Sequence, residues 1–493
     1  MKKINAALLL VVILITSNMG YSQTIEPPYE VGTWPGFCQA AITYTFDDGC
    51  SNQYTIAIPM FNEFDFDLTM YPIINWSPNW AALKDAAEQG HEIGSHTMSH
   101  PYLNQLTVEQ QKAELENSQS ATNSRIEGEQ CLTLAYPYCV PGDQALTAQY
   151  YIAARHCQGY IERTTPNNFY QISSIICGSQ GSVKTTANFI SRFTSAASSN
   201  GWCVFLLHGI DNDGGYSPLS SGTLRESLEY LDSNRDKFWV STFLNAVRYI
   251  KERNAVSVVE SSNQNTNIIL QVTDTLDDAI YNYPVTVRRP LPPGWPGANV
   301  SQDSNSVNTR IVEIDSTKYV MFDVVPDDGD VVLTKAPAAP AGLTATAGYA
   351  TVVLDWNDVD VSNLAGYNVY RSTTSGRGYS KINDTLLSSS EYEDVNIPHN
   401  IIYYYVVTAV DTNSIESGYS NEVVGGLYGD FTGNGIVEMN DLPIFLDYWP
   451  LSDCNETALV DLNEDCIVNF HEFAVLAENK EQSPQPAKRR GRE

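Results

Sequence analysis

The sequence predicts a multidomain protein: an α/β domain with parallel strands, then β-sandwich domains, then a small helical module with calcium loops. Its 493 residues are too many for one hydrophobic core, so several domains are expected. Short apolar strands alternate with helical patterns between residues 35 and 255, which is typical of parallel-stranded α/β domains. After residue 255 the helical patterns stop, and strands separated by Pro- and Gly-rich turns follow.

Residues 1–22 predict an export signal. Lys2 and Lys3 give a positive start, and residues 6–15 form an apolar run that is too short to span a bilayer. Small residues then offer a cleavage site before Gln23, and no cysteine follows closely enough to suggest a lipid anchor. We therefore expect a secreted or extracytoplasmic protein.

The composition excludes two classes of partner. With 58 acidic and 28 basic residues, the formal net charge is −30, which argues against binding nucleic acid or an anionic membrane surface. Such self-repulsion suits a soluble exported protein. Nine cysteines fit an oxidising compartment, and their odd number leaves at least one thiol unpaired. Cys454 and Cys466 are predicted to pair because they lie far from the other cysteines.

Residues 23–255 are assigned to the α/β domain. Thr107 and Gln110 form a capping box, which predicts the start of a helix. The clearest strands are residues 40–46 and 202–210, and the clearest helices are residues 107–126 and 224–234.

Strand patterns dominate the next two domains. Residues 256–336 predict a small β-sandwich, and residues 337–425 contain evenly spaced short strands. In this second segment an inward Trp356 and a tyrosine cluster before residues 406–411 are typical of an immunoglobulin-class sandwich. The segment resembles a fibronectin type III module. Residues 481–493 are polar and basic, so we expect a disordered tail.

The first candidate site lies where strand 40–46 ends in two adjacent carboxylates, Asp47 and Asp48. Alone, this pair would be a solvated strand-end turn. His96 and His100 favour a metal site instead, because histidines four residues apart share one face of a helical turn and can bind one ion. Two imidazoles and one carboxylate leave positions open, as catalytic metal sites do. One aspartate would then bind the cation, and the other would stay ionised beside it as a base.

A third histidine follows another buried strand. His208 ends the run FLLH, and the carboxyl ends of strands are where α/β barrels keep catalytic groups. Taken alone, His208 would be a core histidine with a satisfied hydrogen bond. Only seven histidines occur in the chain, and three of them fall in these motifs. His91 is interpreted as structural.

Four motifs resemble, in order and spacing, those of the polysaccharide deacetylases, the NodB-homology esterases of carbohydrate esterase family 4. They are TFDDG (45–49), HTMSH (96–100), YPY (136–138) and LLH (206–208). The resemblance covers residues 38–250. It implies a distorted (β/α) barrel, a divalent metal and an acetylated polysaccharide substrate.

The resemblance also implies a role for each motif residue. The residues that correspond to the family's metal ligands are Asp48, His96 and His100. Zinc is the expected metal, and cobalt, nickel or manganese would also suit two nitrogens and one oxygen. Asp47 would be the general base and His208 the general acid. Tyr138 would supply a backbone N–H to the oxyanion.

Two positions depart from the family pattern. The third motif usually carries an arginine two residues before its proline, and this chain has Ala135 there. Arg155 is a candidate replacement. The fourth motif, an aspartate followed by a tryptophan, is not recognisable, and Asp211 and Asp213 are candidate substitutes close to His208.

Two segments near the C-terminus have the ligand spacing of calcium loops. The ligands are Asp430, Thr432, Asn434, the Ile436 carbonyl and Asp441 in the first loop, and Asp461, Asn463, Asp465, the Ile467 carbonyl and Glu472 in the second. Gly435 provides the turn of the first loop, whereas Cys466 replaces that glycine and should weaken the second. Together, residues 426–480 resemble a dockerin, which implies a cohesin-like scaffold partner. Whether the module docks a partner or only stabilises the C-terminus stays open.

These observations favour a secreted, metal-dependent deacetylase that removes N- or O-linked acetyl groups from a glycan. The alternative is a non-catalytic carbohydrate-binding or scaffold-docking protein that retains the fold, which Ala135 and the missing fourth motif favour. An amidase acting on another carbonyl is a third interpretation. The sequence does not choose among chitin, xylan and peptidoglycan.

Overall fold

The computed structural model describes most of the chain as ordered elements. The residues it describes are 24–126, 128, 130–348, 351–361, 363–395, 397, 402–425, 441–449, 451–452, 467–469 and 473–474. The predicted export signal, the disordered tail and the Cys454–Cys466 pair lie outside these residues.

The α/β domain contains strands and helices in near-regular alternation. Its elements, together with two short strands that precede them, are β1 Thr24–Ile25, β2 Glu30–Val31, β3 Ala40–Asp48, α1 Ile58–Glu63, β4 Thr69–Pro72, α2 Trp80–Glu88, β5 Glu92–Ile93, α3 Val108–Asn123, β6 Thr133–Ala135, α4 Gln144–Thr147, β7 Ala153–His156, β8 Ile172–Ser173, β9 Ile175–Ile176, α5 Thr186–Ser198, β10 Trp202–Leu207, α6 Ser221–Asp232, β11 Phe238–Val240 and α7 Phe243–Ala255. The capping box of Thr107 and Gln110 begins α3, as predicted.

All strand pairs of this domain are parallel. One sheet has the order β5-β4-β3-β10-β9, with β11 also paired to β3, and a second sheet has the order β6-β7-β8. A parallel bridge between Ser95 and Leu134 connects the two sheets. The predicted parallel α/β organisation is confirmed, whereas closure of the sheets into a barrel stays a prediction.

The central strand β3 is buried over nearly its whole length, so it carries no alternating pattern. Only its last residue, Asp48, is partly accessible. On one side of this strand Tyr44 and Phe46 pack against Phe61 and Phe205 within the larger core of the domain. Burial on both faces explains why the strand reads as an uninterrupted apolar run before its two aspartates.

The second domain is a pair of antiparallel sheets. Its strands are β12 Ser257–Asn263, β13 Asn267–Thr273, β14 Val285–Pro290, β15 Gly297–Gln302, β16 Asn305–Ser306, β17 Thr309–Ile314, β18 Thr317–Val324 and β19 Val331–Ala336. Both sheets recruit a strand from the start of the chain: β1 joins β12, and β2 joins β14. The sequence interpretation placed these two strands with the α/β domain. A local sequence pattern cannot indicate that a strand pairs with another strand more than 200 residues away. A single buried cluster runs from α7 into this sandwich.

The third domain is also built from two sheets. Its strands are β20 Ala341–Gly348, β21 Thr351–Asn357, β22 Leu364–Ser372, β23 Ser380–Lys381, β24 Glu391–Val395, β25 Tyr403–Asp411 and β26 Val423–Gly425. One sheet has the order β20-β21-β24, and the other β23-β22-β25-β26. Trp356 is buried between them against Tyr367, as the predicted inward position requires.

Near the C-terminus the structure describes one helix, α8, Asp441–Asp447. Most of the predicted calcium ligands lie outside the described residues: Asp430, Thr432, Asn434, Ile436, Asp461, Asn463, Asp465 and Glu472. Ile467 is described and exposed, and of Asp441 only the backbone is described. None of the helices in the described part of the chain has the length and apolar character needed to cross a membrane.

Candidate active site

The two carboxylates that end β3 are held in different environments. Asp47 is 3% exposed, whereas Asp48 is partly accessible and has a left-handed backbone, with φ of 72°. Gln53 fixes the end of this strand, because its side-chain amide donates to the backbone carbonyls of both Asp47 (2.6 Å) and His208 (2.9 Å). The strand ends β3 and β10 are thereby tied together, and the side chains that follow them face one site.

Asp48, His96 and His100 form the predicted cluster of metal ligands. Asp48 Oδ1 lies 3.6 Å from His96 Nε2 and 3.9 Å from His100 Nε2, and one ligand atom from each residue lies within 4.8 Å of the others. His96 Nδ1–H donates to the Ala135 carbonyl at 2.8 Å, which leaves the Nε2 lone pair for a metal. Asp48 Oδ1 is buried and has no hydrogen-bond partner among the described residues. These donors fit a divalent cation of the zinc type.

The segment that carries the two histidines is not helical, so that part of the sequence interpretation is wrong. Thr97 and His100 both have left-handed φ angles, 68° and 60°, and the chain forms a loop here. Thr97 Oγ1 accepts the His100 N–H at 3.1 Å. Glu114 on α3 accepts the N–H groups of Met98 and Ser99, both at 2.9 Å. The loop brings the imidazoles to one point by side-chain capping rather than by helical periodicity.

Replacement of Glu114 by Ala is expected to weaken zinc binding about 10–100-fold, the usual effect of losing a group that orients a metal ligand. The reason is that Glu114 fixes the amides directly before His100. Competition with a chromophoric chelator would measure the affinity. Glu116→Ala on the same helix is the control, since the ion pair of Glu116 with Lys112 lies at the surface. Equal zinc affinities of the two variants would contradict this role of Glu114.

Arg155 reaches the site from strand β7. Its Nη2 contacts Asp47 Oδ1, its Nη1 donates to Ser174 Oγ at 3.2 Å, and the residue is 1% exposed. In the parallel pairing of β6 and β7, Arg155 is the direct neighbour of Ala135. A guanidinium thus contacts Asp47 from the strand that pairs with the one carrying Ala135.

His208 lies near the other carboxylate oxygen of Asp47. Its Nε2 is 4.0 Å from Asp47 Oδ2, and its ring meets Tyr216 edge-on at a centroid distance of 5.0 Å. In the described part of the chain, no hydrogen bond or ion pair joins His208 to Asp211 or Asp213, the proposed substitutes for the fourth motif. Asp211 accepts from the Ser221 N–H, and Asp213 accepts from the backbone N–H groups of residues 52, 210 and 215. These two aspartates instead stabilise the surrounding loops through hydrogen bonds from backbone N–H groups.

Burial and neighbouring charges shift the pKa values of Asp47 and Asp48 in opposite directions. Burial alone would raise the pKa of Asp47, but the charges of Arg155 and of the histidines outweigh it and lower that pKa. For Asp48, burial and the charge of Asp47 raise the pKa to about 7. Burial lowers the pKa of His96 to about 4, so its imidazole is neutral at neutral pH. A neutral imidazole can ligate a metal, and a cation would relieve the repulsion between the carboxylates.

Exposed aromatic rings line the rim of the cluster. Tyr138 has a left-handed φ of 55°, stacks on Tyr102 with centroids 3.9 Å apart, and lies 4.5 Å from the His100 ring. Trp76 lies 5.7 Å from the same imidazole and is 57% exposed. Cys139, the residue after Tyr138, forms a disulfide with Cys157, and this bond joins the segments that follow β6 and β7. Sequence reasoning found Tyr138 but had no signal for Trp76 or Tyr102.

The other described cysteines are free thiols: Cys38, Cys50, Cys131, Cys177 and Cys203. None of them belongs to the candidate metal cluster of Asp48, His96 and His100. The Cys139–Cys157 bridge is thus the disulfide that the described part of the chain contains.

Most residues of the candidate site lie in a segment that matches a protein-family model. Residues 37–153 match the polysaccharide deacetylase family model. The matched segment contains the three candidate metal ligands, Asp47 and Tyr138, while Arg155 and His208 follow it. The match thus covers the part of the α/β domain that carries the cluster.

Known proteins resemble different fractions of the chain. A gellan lyase from Bacillus sp is 28% identical over 334 residues, which are 63% of this chain and 13% of that protein. The peptidoglycan deacetylase PdaC from Bacillus subtilis is 16% identical, covers 44% of this chain and 93% of that structure, and has a TM-score of 0.31 to 0.32 across its solved forms. An Fn3-like protein from Clostridium thermocellum is 40% identical over 18% of this chain and 91% of that structure, with a TM-score of 0.17. The assignment of residues 337–425 to the fibronectin type III class stays a prediction.

Proposed function

We propose that this chain is an exported, metal-dependent deacetylase that hydrolyses N- or O-linked acetyl groups on a polysaccharide. The observation that carries the proposal is the juxtaposition of Asp48, His96 and His100 with an ionised Asp47, in a segment that matches the deacetylase family. Export is supported by the Cys139–Cys157 disulfide, since such bonds persist in oxidising compartments.

Asp48, His96 and His100 would hold the cation, with zinc favoured by two imidazole nitrogens and one carboxylate oxygen, and with cobalt, nickel or manganese as substitutes. When bound, the cation would polarise the acetyl carbonyl and make water nucleophilic at neutral pH. The chain's own residues provide the proton transfers and the positioning.

Asp47 acts as the general base. Arg155 holds its Oδ1, and its Oδ2 faces the imidazoles, 3.7 Å from His96 Nε2 and 4.0 Å from His208 Nε2. The lowered pKa keeps this carboxylate ionised, so Oδ2 can accept the proton of the attacking water.

His208 and Tyr138 complete the reaction. His208, whose Nε2 lies 4.0 Å from Asp47 Oδ2, donates a proton to the leaving amine or alkoxide. Because burial lowers the pKa of His208, its imidazole passes on the proton that Asp47 takes from the water. The backbone N–H of Tyr138 donates to the developing oxyanion. Trp76 and Tyr102 provide apolar ring faces against which a sugar can lie, and such flat faces at an open rim fit a polymer better than a small enclosed substrate.

The contact of Arg155 with Asp47 supports this proposal over the non-catalytic alternative. The alternative was favoured because Ala135 lacks the family's arginine. A guanidinium on the neighbouring strand that contacts Asp47 supports catalysis, since an orienting group for the base is present.

We propose in addition that residues 426–480 form a dockerin-like calcium module and that residues 337–425 form a fibronectin type III-like spacer. The support for the module is the double register of ligands in the sequence. Attachment to a cohesin-like scaffold would follow from such a module. Binding of the exported chain to a cohesin, with and without calcium, would test it.

Acetate release from acetylated xylan, chitin oligosaccharides and peptidoglycan tests the enzymatic proposal. The full chain would be assayed after metal stripping and after reloading with one equivalent of zinc. We expect activity on at least one polymer only in the reloaded protein. A protein that binds one zinc and releases acetate from none of the polymers would refute the deacetylase and favour carbohydrate binding.

A further inference from the structure

The Cys139–Cys157 disulfide joins two segments that each carry a residue of the candidate active site. Tyr138 directly precedes Cys139, and Arg155 on β7 lies two residues before Cys157. The Cα atoms of the two cysteines are 5.4 Å apart, although 18 positions separate them in the sequence. The bond therefore links the proposed oxyanion donor to the strand whose guanidinium contacts Asp47.

The backbone around Tyr138 has a conformation that side chains disfavour. Tyr138 and Cys139 are consecutive non-glycine residues with left-handed φ angles of 55° and 60°. The N–H groups of Cys139 and Val140 donate within the turn itself, to the carbonyls of Tyr136 and Pro137, both at 3.1 Å. Such local bonds are a weak hold on a disfavoured conformation, and the disulfide adds a covalent hold from outside the turn.

A hydrogen bond and the disulfide attach the two ends of this turn to β7. At its start the Tyr136 N–H donates to the Arg155 carbonyl at 3.0 Å. At its end Cys139 is bonded to Cys157, directly beyond the last residue of the strand. The position of Tyr138 relative to β7 is thus fixed on both sides.

The left-handed backbone of Tyr138 determines where its two functional parts point. Its ring stacks on Tyr102 with an interplanar angle of 9° and lies 4.5 Å from the His100 ring. Rotation about φ changes the direction of the peptide N–H relative to the side chain. If φ returned to the ordinary negative range, the ring and the N–H could not both keep their directions. Loss of this conformation would therefore withdraw either the ring from the rim or the N–H from the oxyanion.

We propose that the Cys139–Cys157 disulfide is a positioning element of the active site, which holds residues 136–140 so that the Tyr138 N–H faces the oxyanion. Full activity then requires the oxidised form of this bond. The inference rests on the proposed deacetylase function, because the oxyanion arises in that reaction. It goes beyond that function in making catalysis, and not only stability, depend on a bond between two residues that do not touch the substrate.

Removal of the bond by substitution is the first test. Cys139→Ser/Cys157→Ser would be compared with the parent as zinc-loaded full chains. We expect kcat for acetate release to fall at least about tenfold, because a displaced oxyanion donor stabilises the transition state less. Zinc content should be parental, since Asp48, His96 and His100 lie on other segments. KM should change by less than about threefold, since the lost interaction belongs to the transition state.

The control is Cys38→Ser. Cys38 is a free, partly accessible thiol whose Sγ lies 3.6 Å from the Arg235 carbonyl, outside the candidate site. This variant should keep the parental kcat and KM. A loss of kcat in Cys38→Ser equal to that of the double variant would overturn the assignment.

Reduction of the folded parent is the second test, and it does not depend on how the double variant folds. Both cysteines are partly accessible, so a phosphine can reach the bond. The phosphine supplies two electrons and takes an oxygen from water, and the two protons of that water complete the two cysteine thiols. We expect kcat to fall as in the double variant and to recover when the thiols are reoxidised.

Amide hydrogen exchange of the same samples gives a readout that is independent of activity. We expect the amides of residues 136–140 to exchange at least about tenfold faster after reduction, and those of β3 to be unchanged. A bond that only stabilises the fold would lower the thermal midpoint but leave kcat below that midpoint, and exchange in the turn, at their parental values. That result would overturn the assignment. Absence of acetate release from the oxidised parent would instead refute the deacetylase, and exchange in the turn would still show whether the bond holds Tyr138.

Discussion

Replacement of Asp47 by Asn is expected to lower kcat for acetate release by about 10²–10⁴-fold, the range that removal of a general base or acid produces. The substitution keeps the shape of the side chain but removes the carboxylate that accepts the proton. Zinc binding should persist, because the ligand atoms belong to Asp48, His96 and His100. Steady-state acetate release and zinc content, measured on the same preparation, check both parts.

The control for this experiment is the same substitution at Asp143. That residue caps α4 by accepting the N–H groups of Ala145 and Leu146, and asparagine caps helices equally well. Asp143→Asn should retain parental activity. If Asp47→Asn kept more than a tenth of the parental rate at full zinc content, another group would have to be the base.

Replacement of Arg155 by Ala is expected to have the second-largest effect. It removes one partner of a buried ion pair, which costs about 3–5 kcal/mol in the free energy of unfolding because the other charge stays buried and uncompensated. The pKa of Asp47 should rise, since Arg155 is the largest of the charges that lower it. We therefore expect the lower limb of the pH–rate profile to move to higher pH, with a fall in kcat. Chemical unfolding and pH–rate profiles would measure the two effects separately.

The strand register supplies a rescue for this variant. Ala135 is the β7 neighbour of Arg155 and is fully buried, so Ala135→Arg in the Arg155→Ala background returns a guanidinium to the same region. We expect the double variant to recover at least part of the lost kcat. Ala135→Arg alone should be destabilised, because it adds volume and a second charge beside Arg155. A folded double variant without any recovery would show that the position of Arg155, rather than its charge, is required.

The sequence predicted which residues form the candidate site, but it did not predict the backbone conformation that brings them together. Asp47, Asp48 and the two histidines converge as predicted, but His96 and His100 do so on a loop held by Glu114 and Thr97. A spacing of four is compatible with a helical turn and with such a loop, and local pattern cannot separate them. Side-chain capping depends on contacts between α3 and the loop, and these exist only in the folded chain.

Pairing between strands that are far apart in the sequence was the second feature that the sequence did not predict. Apolar runs predicted strands β3, β10, β13 and β21, because burial on one or both faces leaves a local pattern. Two-residue strands such as β1 and β2 leave none.

The strands contributed by the start of the chain have a consequence for the order of folding. Because β1 and β2 lie in the sheets of the sandwich, the α/β domain is topologically an insertion between two parts of that sandwich. During synthesis β1 and β2 remain unpaired until the ribosome has synthesised their partner strands, β12 and β14. A chain that stops at Ala255 would leave both strands without partners and would uncover the apolar face of α7. The shortest unit that can fold with all these strands paired therefore extends to the end of β19.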